Sequence, residues 1–312
     1  MRVLVVGAGA TGGYFGARLA ASGRDVTFLV RPARAARLAE SGLSVRSPLG
    51  DFRIEAPKTV TPGAIPAPFD LVLLSCKAYD LAGALDDVAP AVGPDTMVLP
   101  ILNGMAHLDA LDARFGRERV LGGSCAIAAT LASDGTIVQM SELHALTFGE
   151  RGGTRSARIA RVAAVMEGAG FAARLSEKIL LEMWEKWVFL ATLAAGTCLM
   201  RAPVGDIVAA PGGREVMLGL FEECRAIAAA AGEAPREKFA ETSRGTLTAA
   251  GSGFTASMLR DIEKGARIEA DHIVGDLLDR GRAADPDGAR PHLAAAYTHL
   301  KAYESRRARE RG

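Results

Sequence analysis

The sequence predicts an α/β fold in which an N-terminal, doubly wound parallel sheet is followed by an all-helical C-terminal domain. The chain of 312 residues exceeds the usual size of one domain, so two domains are expected. Strand-like apolar runs and glycine turns recur up to residue 174, whereas from Ser176 onward apolar residues recur at the helical period. We therefore assign residues 1–174 to the sheet domain and residues 175–312 to the helical domain.

The first predicted elements are a strand, a glycine turn, a helix and a second strand within residues 1–31. The opening strand stops at six residues that match G-x-G-x-x-G: Gly7, Ala8, Gly9, Ala10, Thr11 and Gly12. In this context the motif is a Rossmann-type dinucleotide-binding fingerprint, with the pyrophosphate at the helix N-terminus. Gly7 permits the tight turn, Gly9 lets a pyrophosphate approach the backbone, and Gly12 lets helix and strand pack closely. The alternative is an ordinary glycine-rich loop, which the flanking strands disfavour.

The second strand closes at Arg31, nineteen residues after Gly12. A site that prefers NAD usually has Asp or Glu there, accepting hydrogen bonds from the ribose 2′-hydroxyl. Here the residue is arginine, and Arg34 and Arg37 follow at helical spacing. Because a guanidinium suits a 2′-phosphate, the sequence favours NADP(H) as the cofactor. A surface arginine at a strand end is the alternative.

Two later apolar runs each end in a polar residue. Residues 70–76 lead into Lys77, and residues 96–102 lead into Asn103. In open parallel sheets, ligands bind beyond the carboxyl ends of the strands, near the point where the strand order reverses. We therefore expect Lys77 and Asn103 to meet the cofactor and the substrate. Each residue alone could instead belong to a turn or cap a helix.

The remaining elements of the first domain follow from alternation and turn residues. Residues 43–55 alternate apolar and polar side chains around the turn-forming residues 48–51, which predicts a hairpin. Four prolines predict a loop over residues 57–68. Further strand-like runs and an amphipathic helix follow, at residues 120–130, 136–140, 143–149 and 156–168.

The second domain is predicted to consist of helices alone, since its apolar residues recur at a spacing near 3.6. Ser176 is a suitable N-cap for the first and longest of these helices. The helices are predicted at residues 177–199, 212–231, 236–249, 257–265, 269–280 and 292–304.

Composition excludes several classes of partner. With 37 basic and 36 acidic residues, the formal net charge is +1, so neither nucleic acid nor a membrane surface is an expected partner. Four widely spaced cysteines predict reduced thiols, without a disulfide framework or a metal site. Glycines interrupt the N-terminal apolar run, and the uncharged stretch 187–200 is too short to span a membrane. We expect a soluble, cytoplasmic protein, and we leave its oligomeric state open, with a homodimer as one arrangement.

With these residues assembled, the chain resembles the ketopantoate reductase (2-dehydropantoate 2-reductase) family along nearly its whole length. The resemblance is carried by an ordered set of matching pieces: Gly7–Gly12, Arg31, Cys76-Lys77-Ala78, Leu102–Met105, Trp184-x-Lys186, Ser257-Met258-x-x-Asp261 and Glu269. It implies an N-terminal Rossmann domain, an all-helical C-terminal domain, and a cleft between them that holds NADPH and a 2-oxo acid.

The family also implies roles for individual residues. The lysine that matches Lys186 is the proton donor, and the glutamate that matches Glu269 lies near the nicotinamide ribose and that lysine. The asparagine that matches Asn103 contacts both cofactor and substrate, and the lysine that matches Lys77 lies in the same cleft. The serine that matches Ser257 binds the substrate carboxylate.

One further residue, Ala128, matches a position where the backbone contacts the cofactor.

The chemistry of Lys186 suits its implied role, because hydride transfer to a ketone leaves developing alkoxide charge on oxygen. Lysine side chains are protonated at neutral pH, so an ammonium can stabilise that charge and deliver the proton. A surface lysine paired with Glu182, one turn back, is the alternative for Lys186, which Trp184 and Trp187 disfavour. For Glu269 the sequence alone indicates an exposed helix residue.

The sequence departs from the family on the helix that carries Lys186. Typical members have asparagines four and eight residues after the catalytic lysine, where they contact the substrate. Here those positions are Leu190 and Ala194. Either other residues supply the missing hydrogen bonds, or the preferred substrate is a bulkier or more apolar 2-oxo acid than ketopantoate. A non-catalytic NADP(H) sensor is a third alternative.

Overall fold

The computed structural model describes residues 1–311, which form two compact units. The first unit comprises Met1–Leu102 and His107–Ile179. The second comprises Asn103–Ala106 and the chain from Leu180 onward. The main division thus falls after Ile179, five residues beyond the position assigned from sequence, and the short segment after Leu102 groups with the helical unit.

The first unit contains ten strands within its described residues. These are β1 (Arg2–Val6), β2 (Asp25–Leu29), β3 (Leu43–Arg46), β4 (Phe52–Ile54), β5 (Lys58–Val60), β6 (Leu71–Leu74), β7 (Met97–Pro100), β8 (Gly122–Leu131), β9 (Ile137–Gly149) and β10 (Ala172–Leu175). Five helices accompany them: α1 (Ala10–Ala21), α2 (Pro32–Ser41), α3 (Leu81–Val88), α4 (Ala106–Phe115) and α5 (Ala157–Met166).

The main sheet is five-stranded and parallel, in the order β5-β2-β1-β6-β7. The chain leaves β1 toward β2 on one side and later places β6 on the other side, so the strand order reverses between β1 and β6. All residues of β6 and β7 are buried, which explains why these strands are apolar without alternation. This arrangement confirms the predicted doubly wound parallel sheet and the α/β class.

A second sheet has the order β10-β9-β3-β4, with β8 also paired to β9. The predicted hairpin is confirmed, because β3 and β4 are antiparallel and Leu43 faces Ile54. The two strands predicted at 136–140 and 143–149 form one strand instead, β9. Its pairing with β8 shifts register between Ile127 and Ala129, where residues 140–143 face a single residue of β8. That irregularity breaks the alternation from which two strands were predicted.

The prediction of a loop across residues 57–68 was partly wrong. Residues Lys58–Val60 form β5, which pairs in parallel with β2 at the edge of the main sheet. The backbone N–H of Val30 also donates to the carbonyl of Val60 at 3.0 Å. A strand this short is stabilised by its neighbour, so local composition dominated by prolines does not reveal it.

The described part of the second unit contains helices and no strand, which confirms the all-helical prediction. Its helices are α6 (Ile179–Met200), α7 (Val204–Ala209), α8 (Gly213–Ala230), α9 (Glu237–Leu247), α10 (Ser257–Glu263), α11 (Asp276–Ala284) and α12 (Pro291–Arg311). In residues 1–311, no helix combines the length and apolar character needed to cross a membrane.

One predicted helix has a different form in the structure. The segment predicted as a helix from 269 to 280 begins with a π-helical turn, Asp271–Gly275, and continues as α11. The turn is closed by a hydrogen bond from the Asp276 N–H to the Asp271 carbonyl. The carbonyl of Ile273 accepts a hydrogen bond at 2.9 Å from the indole Nε1 of Trp187 on α6. Such a tertiary partner is invisible to a periodicity argument, which is why a regular α-helix was predicted.

The glycine turn after β1 sets how closely α1 approaches the sheet. Gly7 has φ +90°, a backbone conformation that L side chains rarely adopt. A Cβ at Gly12 would lie 1.8 Å from Ser75 Oγ and 3.0 Å from the carbonyl oxygen of Gly7. Ser75 follows β6, and its hydroxyl donates at 2.9 Å to the carbonyl of Val6 at the end of β1. The absence of a side chain at Gly12 therefore lets α1 pack against the two central strands.

We expect Gly12→Ala to lower the free energy of unfolding by about 1–3 kcal/mol, because the new methyl group would displace the Ser75 hydroxyl. Gly9→Ala is the matched control, since Gly9 has φ −86° and no described atom lies within 4 Å of a Cβ built on it. Its free energy of unfolding should change by less than about 0.5 kcal/mol. Urea denaturation of both variants measures the difference, and equal losses would contradict the close-packing explanation.

Candidate functional site

The glycine turn has the geometry of an anion site at the carboxyl end of β1. Gly9 is the N-cap of α1, so the helix begins within the motif, and its first free N–H groups belong to motif residues. No acidic side chain occupies the first turn of α1, and the space around Gly9 is open among the described residues. The turn also lies where the strand order reverses. These features fit the pyrophosphate of a dinucleotide.

Arg31 is the N-cap of α2, two residues after the end of β2, and its side chain is 79% exposed. Its guanidinium forms an ion pair at 3.3 Å with the carboxylate of Asp80, which is itself 38% exposed. Exposed pairs of this kind contribute little to stability, so the guanidinium can exchange this partner for an incoming anion. The residue is therefore accessible to a phosphate beside the nucleotide turn.

The other two arginines of α2 have a different environment. Arg34 is half-buried, and it donates hydrogen bonds to the carbonyls of Ala8 at 3.2 Å and Gly135 at 3.1 Å. Arg37 donates to the carbonyl of Ser133 at 3.1 Å. Burial, followed by the charge of Arg37, lowers the pKa of Arg34. These two side chains hold the glycine turn and the turn between β8 and β9, which sets them apart from the exposed Arg31.

Lys77 follows β6, with Ser75 and Cys76 between them, and its side chain is exposed. Its backbone carbonyl accepts a hydrogen bond at 2.9 Å from the N–H of Asp80, which closes a short 3₁₀ turn. This turn brings the Lys77 ammonium and the Asp80 carboxylate to the carboxyl end of β6. The carboxylate is the one that contacts Arg31, so Lys77 and Arg31 flank the same part of the sheet edge.

Ala128 lies on β8, at the place where the pairing with β9 is irregular. A residue at such a bulge is not held in the regular ladder, so its backbone groups can be directed elsewhere. Ala128 belongs to the second sheet, whereas the glycine turn and Lys77 follow strands of the main sheet.

Asn103 is half-buried in the bend that joins β7 to α4. The next residue, Gly104, has φ +76°, and a Cβ there would lie 2.6 Å from the carbonyl oxygen of His272. The His272 imidazole is also hydrogen-bonded to the backbone of Asn103. Sequence analysis did not identify His272, whose only sequence signal is its position three residues after Glu269.

Lys186 is half-buried in the first half of α6, and the residues on either side of it, Glu185 and Trp187, are both held by tertiary contacts. Trp187 is 1% exposed, and its ring centroid lies 4.9 Å from that of Trp184. Glu185, at 4% exposure, accepts two hydrogen bonds at 2.9 Å from the backbone N–H and the Nε of Arg236.

Glu269 is half-buried and immediately precedes the helical stretch that contains the π-helical turn, next to α6. Its charge acts on His272 and raises the pKa of that imidazole, but burial is the larger effect and lowers it overall. The carboxyl group of Asp276 also raises the pKa of His272, whereas the guanidinium of Arg280 lowers it. The structure therefore gathers charged groups around His272.

Ser257 is the first residue of α10, and its side chain is exposed. The segment before it is attached to α6 by two contacts. The N–H of Ala256 donates to the Thr197 hydroxyl at 3.4 Å, and the rings of Phe189 and Phe254 have centroids 6.1 Å apart. Ser257 is thus held by the helix that carries Lys186.

Lys186, Leu190 and Ala194 form one stripe along α6, and this stripe is apolar beyond Lys186. Leu190 is half-buried and Ala194 is 3% exposed. Phe254, which contacts Phe189 on the same helix, leaves 42% of its surface exposed. The surroundings of Lys186 on α6 are therefore more apolar than asparagines at these positions would make them.

The predicted site residues fall into two groups, one in each compact unit. The glycine turn, Arg31 and Lys77 lie along the carboxyl edge of the main sheet. In the second unit, α6 carries Lys186 and contacts the segments that contain Ser257 and Glu269, while the Asn103 bend contacts His272. The first group has the features of a nucleotide site, and the second has a lysine with polar residues on neighbouring segments.

Comparison with known proteins gives matches over both units. A family model described as Ketopantoate reductase PanE/ApbA matches residues 3–153, and one described as Ketopantoate reductase PanE/ApbA C terminal matches residues 178–304. The Uncharacterized oxidoreductase YkpB of Bacillus subtilis is 36% identical over 305 residues, which cover 98% of this chain and 99% of the relative.

Two further relatives carry a more specific name. The 2-dehydropantoate 2-reductase of Halobacterium salinarum is 30% identical, covering 91% of this chain and 93% of the relative. The crystal structure of 2-dehydropantoate 2-reductase from Geobacter metallireducens GS-15 is similar with a TM-score of 0.87 and 30% identity, covering 97% of this chain and 99% of that chain. These matches confirm the resemblance seen in the sequence: the chain belongs to the ketopantoate reductase PanE/ApbA family.

Proposed function

We propose that this oxidoreductase uses NADPH to reduce a 2-oxo acid to a 2-hydroxy acid, with ketopantoate to pantoate as the leading reaction. The observation that carries the proposal is the position of Lys186. It lies half-buried beside two tryptophans, on a helix whose neighbouring residues Glu185 and Trp187 are both anchored. A lysine held in this way can keep a fixed orientation toward a substrate, as proton transfer requires.

NADPH, when bound through the glycine turn and Arg31, supplies the hydride. The Lys186 ammonium stabilises the charge that develops on the substrate oxygen and then donates its proton to that oxygen. The Ser257 hydroxyl binds the substrate carboxylate, and the Asn103 amide orients the substrate. Glu269 orients the Lys186 ammonium. The apolar rings beside Lys186 lower the local dielectric constant, which strengthens its interaction with the oxyanion.

Two sets of observations bear on the substrate side chain. Relatives that carry the name 2-dehydropantoate 2-reductase support ketopantoate. Leu190 and Ala194, together with the exposed ring of Phe254, support a more apolar 2-oxo acid. Both alternatives use the same hydride and proton transfers, and they differ only in the groups that contact the substrate side chain.

A panel of 2-oxo acids, assayed by NADPH oxidation, tests the reaction class. We expect turnover of at least one member and expect Lys186→Met to lower kcat/KM by about 10²–10⁴-fold, as for loss of a general acid. Lys178→Met is the matched control, because Lys178 is exposed just before α6, and its kcat/KM should remain near the wild-type value. Tight cofactor binding without turnover of any 2-oxo acid would instead indicate a sensor. Full activity of the Lys186 variant would overturn the assigned proton donor.

Cofactor preference is tested by removing each partner of the Arg31–Asp80 ion pair. Arg31→Ala should weaken NADPH binding by about 10–100-fold, the loss expected for a charged hydrogen bond, and leave NADH binding nearly unchanged. Asp80→Asn removes a negative charge 3.3 Å from the guanidinium and should tighten NADPH binding by up to about 5-fold. Dissociation constants for both cofactors measure these effects. Equal affinity of the wild-type protein for NADH and NADPH would refute the role of Arg31.

Substrate preference is tested by restoring a polar residue on α6. We expect Leu190→Asn to shift the ratio of kcat/KM values toward ketopantoate, relative to an apolar 2-oxo acid, by about 10-fold or more. Leu199→Asn is the control, because Leu199 is also half-buried on α6 but lies outside the stripe of Lys186. An unchanged ratio in the Leu190 variant would show that this side chain does not contact the substrate.

A further inference from the structure

We propose that His272 is a positioning residue that holds the bend of Asn103, Gly104 and Met105 in the shape from which the Asn103 amide meets the substrate. The inference rests on the proposed reductase function and adds to it a residue that sequence analysis did not identify. Asn103–Ala106 and His272 both belong to the second compact unit.

Gly104 lies so close to His272 that a side chain at position 104 would clash with it. A Cβ at Gly104 would lie 2.6 Å from the His272 carbonyl oxygen, 2.9 Å from its ring Cδ2 and 3.3 Å from its ring Nε2. The backbone of Gly104 also has φ +76°, which favours glycine. Both the backbone and the ring of His272 therefore pack directly on the residue that follows Asn103.

The imidazole adds a directed hydrogen bond to this packing. Its contact with the Asn103 backbone favours the protonated ring, so a ring N–H donates to the Asn103 carbonyl. Burial lowers the pKa of His272 and outweighs the charges of Glu269 and Asp276, which raise it, while the charge of Arg280 lowers it further. A neutral imidazole has only one N–H, so a donor role at Asn103 fixes both the tautomer and the ring orientation.

The segment that carries His272 is also attached to α6. The next residue, Ile273, accepts the hydrogen bond from the Trp187 indole at 2.9 Å, and Trp187 directly follows Lys186. The connection therefore runs from Lys186 through Trp187, Ile273 and His272 to Asn103. Single π-helical turns inside helices are frequent at functional sites, because they direct backbone groups away from the regular pattern. Here the turn directs the Ile273 carbonyl to α6 and the His272 ring to the bend.

The segment that contains His272 and Ile273 therefore contacts two parts of the proposed site, the Asn103 bend and α6. A shift of about 1 Å in a positioning contact can reduce turnover about 10²-fold. If His272 fixes the bend, loss of its hydrogen bond should release residues 103–106 without disturbing α6. The effect is then seen in the mobility of the bend and in substrate use, and it differs from a loss of the whole fold.

Hydrogen–deuterium exchange of the cofactor-free protein tests this without any substrate. We expect His272→Phe, which keeps an aromatic ring but no N–H, to speed exchange of the 103–106 amides by about 10-fold or more, because the hydrogen bond to the bend is lost. His272→Gln and His272→Asn retain a donor, and at least one should restore slow exchange. His299→Phe is the matched control, because His299 is half-buried on α12, and it should leave this segment unchanged.

Kinetics give the second readout. His272→Phe should lower kcat/KM for the preferred 2-oxo acid by about 10–100-fold, with the rescuing amide variant within about 5-fold of wild type. Gly104→Ala, which places a methyl group against His272, should reproduce the loss if the Phe variant fails to fold. Unchanged exchange at 103–106 in the Phe variant would overturn the proposal. Absence of turnover in the wild-type protein would count against the reductase function alone, since the exchange result decides the role of His272 independently.

Discussion

The close approach of α1 to the ends of β1 and β6 is the constraint on which the first unit depends. It exists because Gly12 has no side chain where Ser75 Oγ would be 1.8 Å from a Cβ. Ser75 in turn donates to Val6, so the helix, the glycine turn and both central strands meet at one point. This contact places the free N–H groups of the first turn of α1 where the strand order reverses, which is the geometry an anion site needs.

The second unit has a corresponding constraint in the hydrogen bond from Trp187 to Ile273. The indole donor is 1% exposed and would be costly to bury without an acceptor. The π-helical turn supplies that acceptor, and so the segment after Glu269 is attached to α6 beside Lys186. Glu185 and Arg236 fix the same stretch of α6 from another side. A helix fixed in this way carries its lysine in one orientation, which suits a residue proposed to deliver a proton.

The two groups of site residues differ in how readily the sequence predicts them. The glycine turn and Arg31 are defined by spacing within a few elements, so local sequence is sufficient to identify them. Lys186, Ser257 and Glu269 are far apart in the chain, and only the resemblance to a family assigned them roles. His272 was missed by both routes, because its importance arises from a contact with Gly104, which lies 168 positions earlier in the chain.

The sequence by itself determined the fold class, the order of the main elements and the nucleotide fingerprint, because periodicity and glycine spacing are local properties of the chain. It also predicted three arginines as a group on α2, and the tertiary structure separated them: Arg31 stays exposed, while Arg34 and Arg37 donate to backbone carbonyls. Only the tertiary structure decided the single long strand β9, the short edge strand β5 and the π-helical turn. β5 and the π-helical turn are each stabilised by a partner distant in sequence, and the continuity of β9 depends on its register against β8. No local pattern records these tertiary pairings.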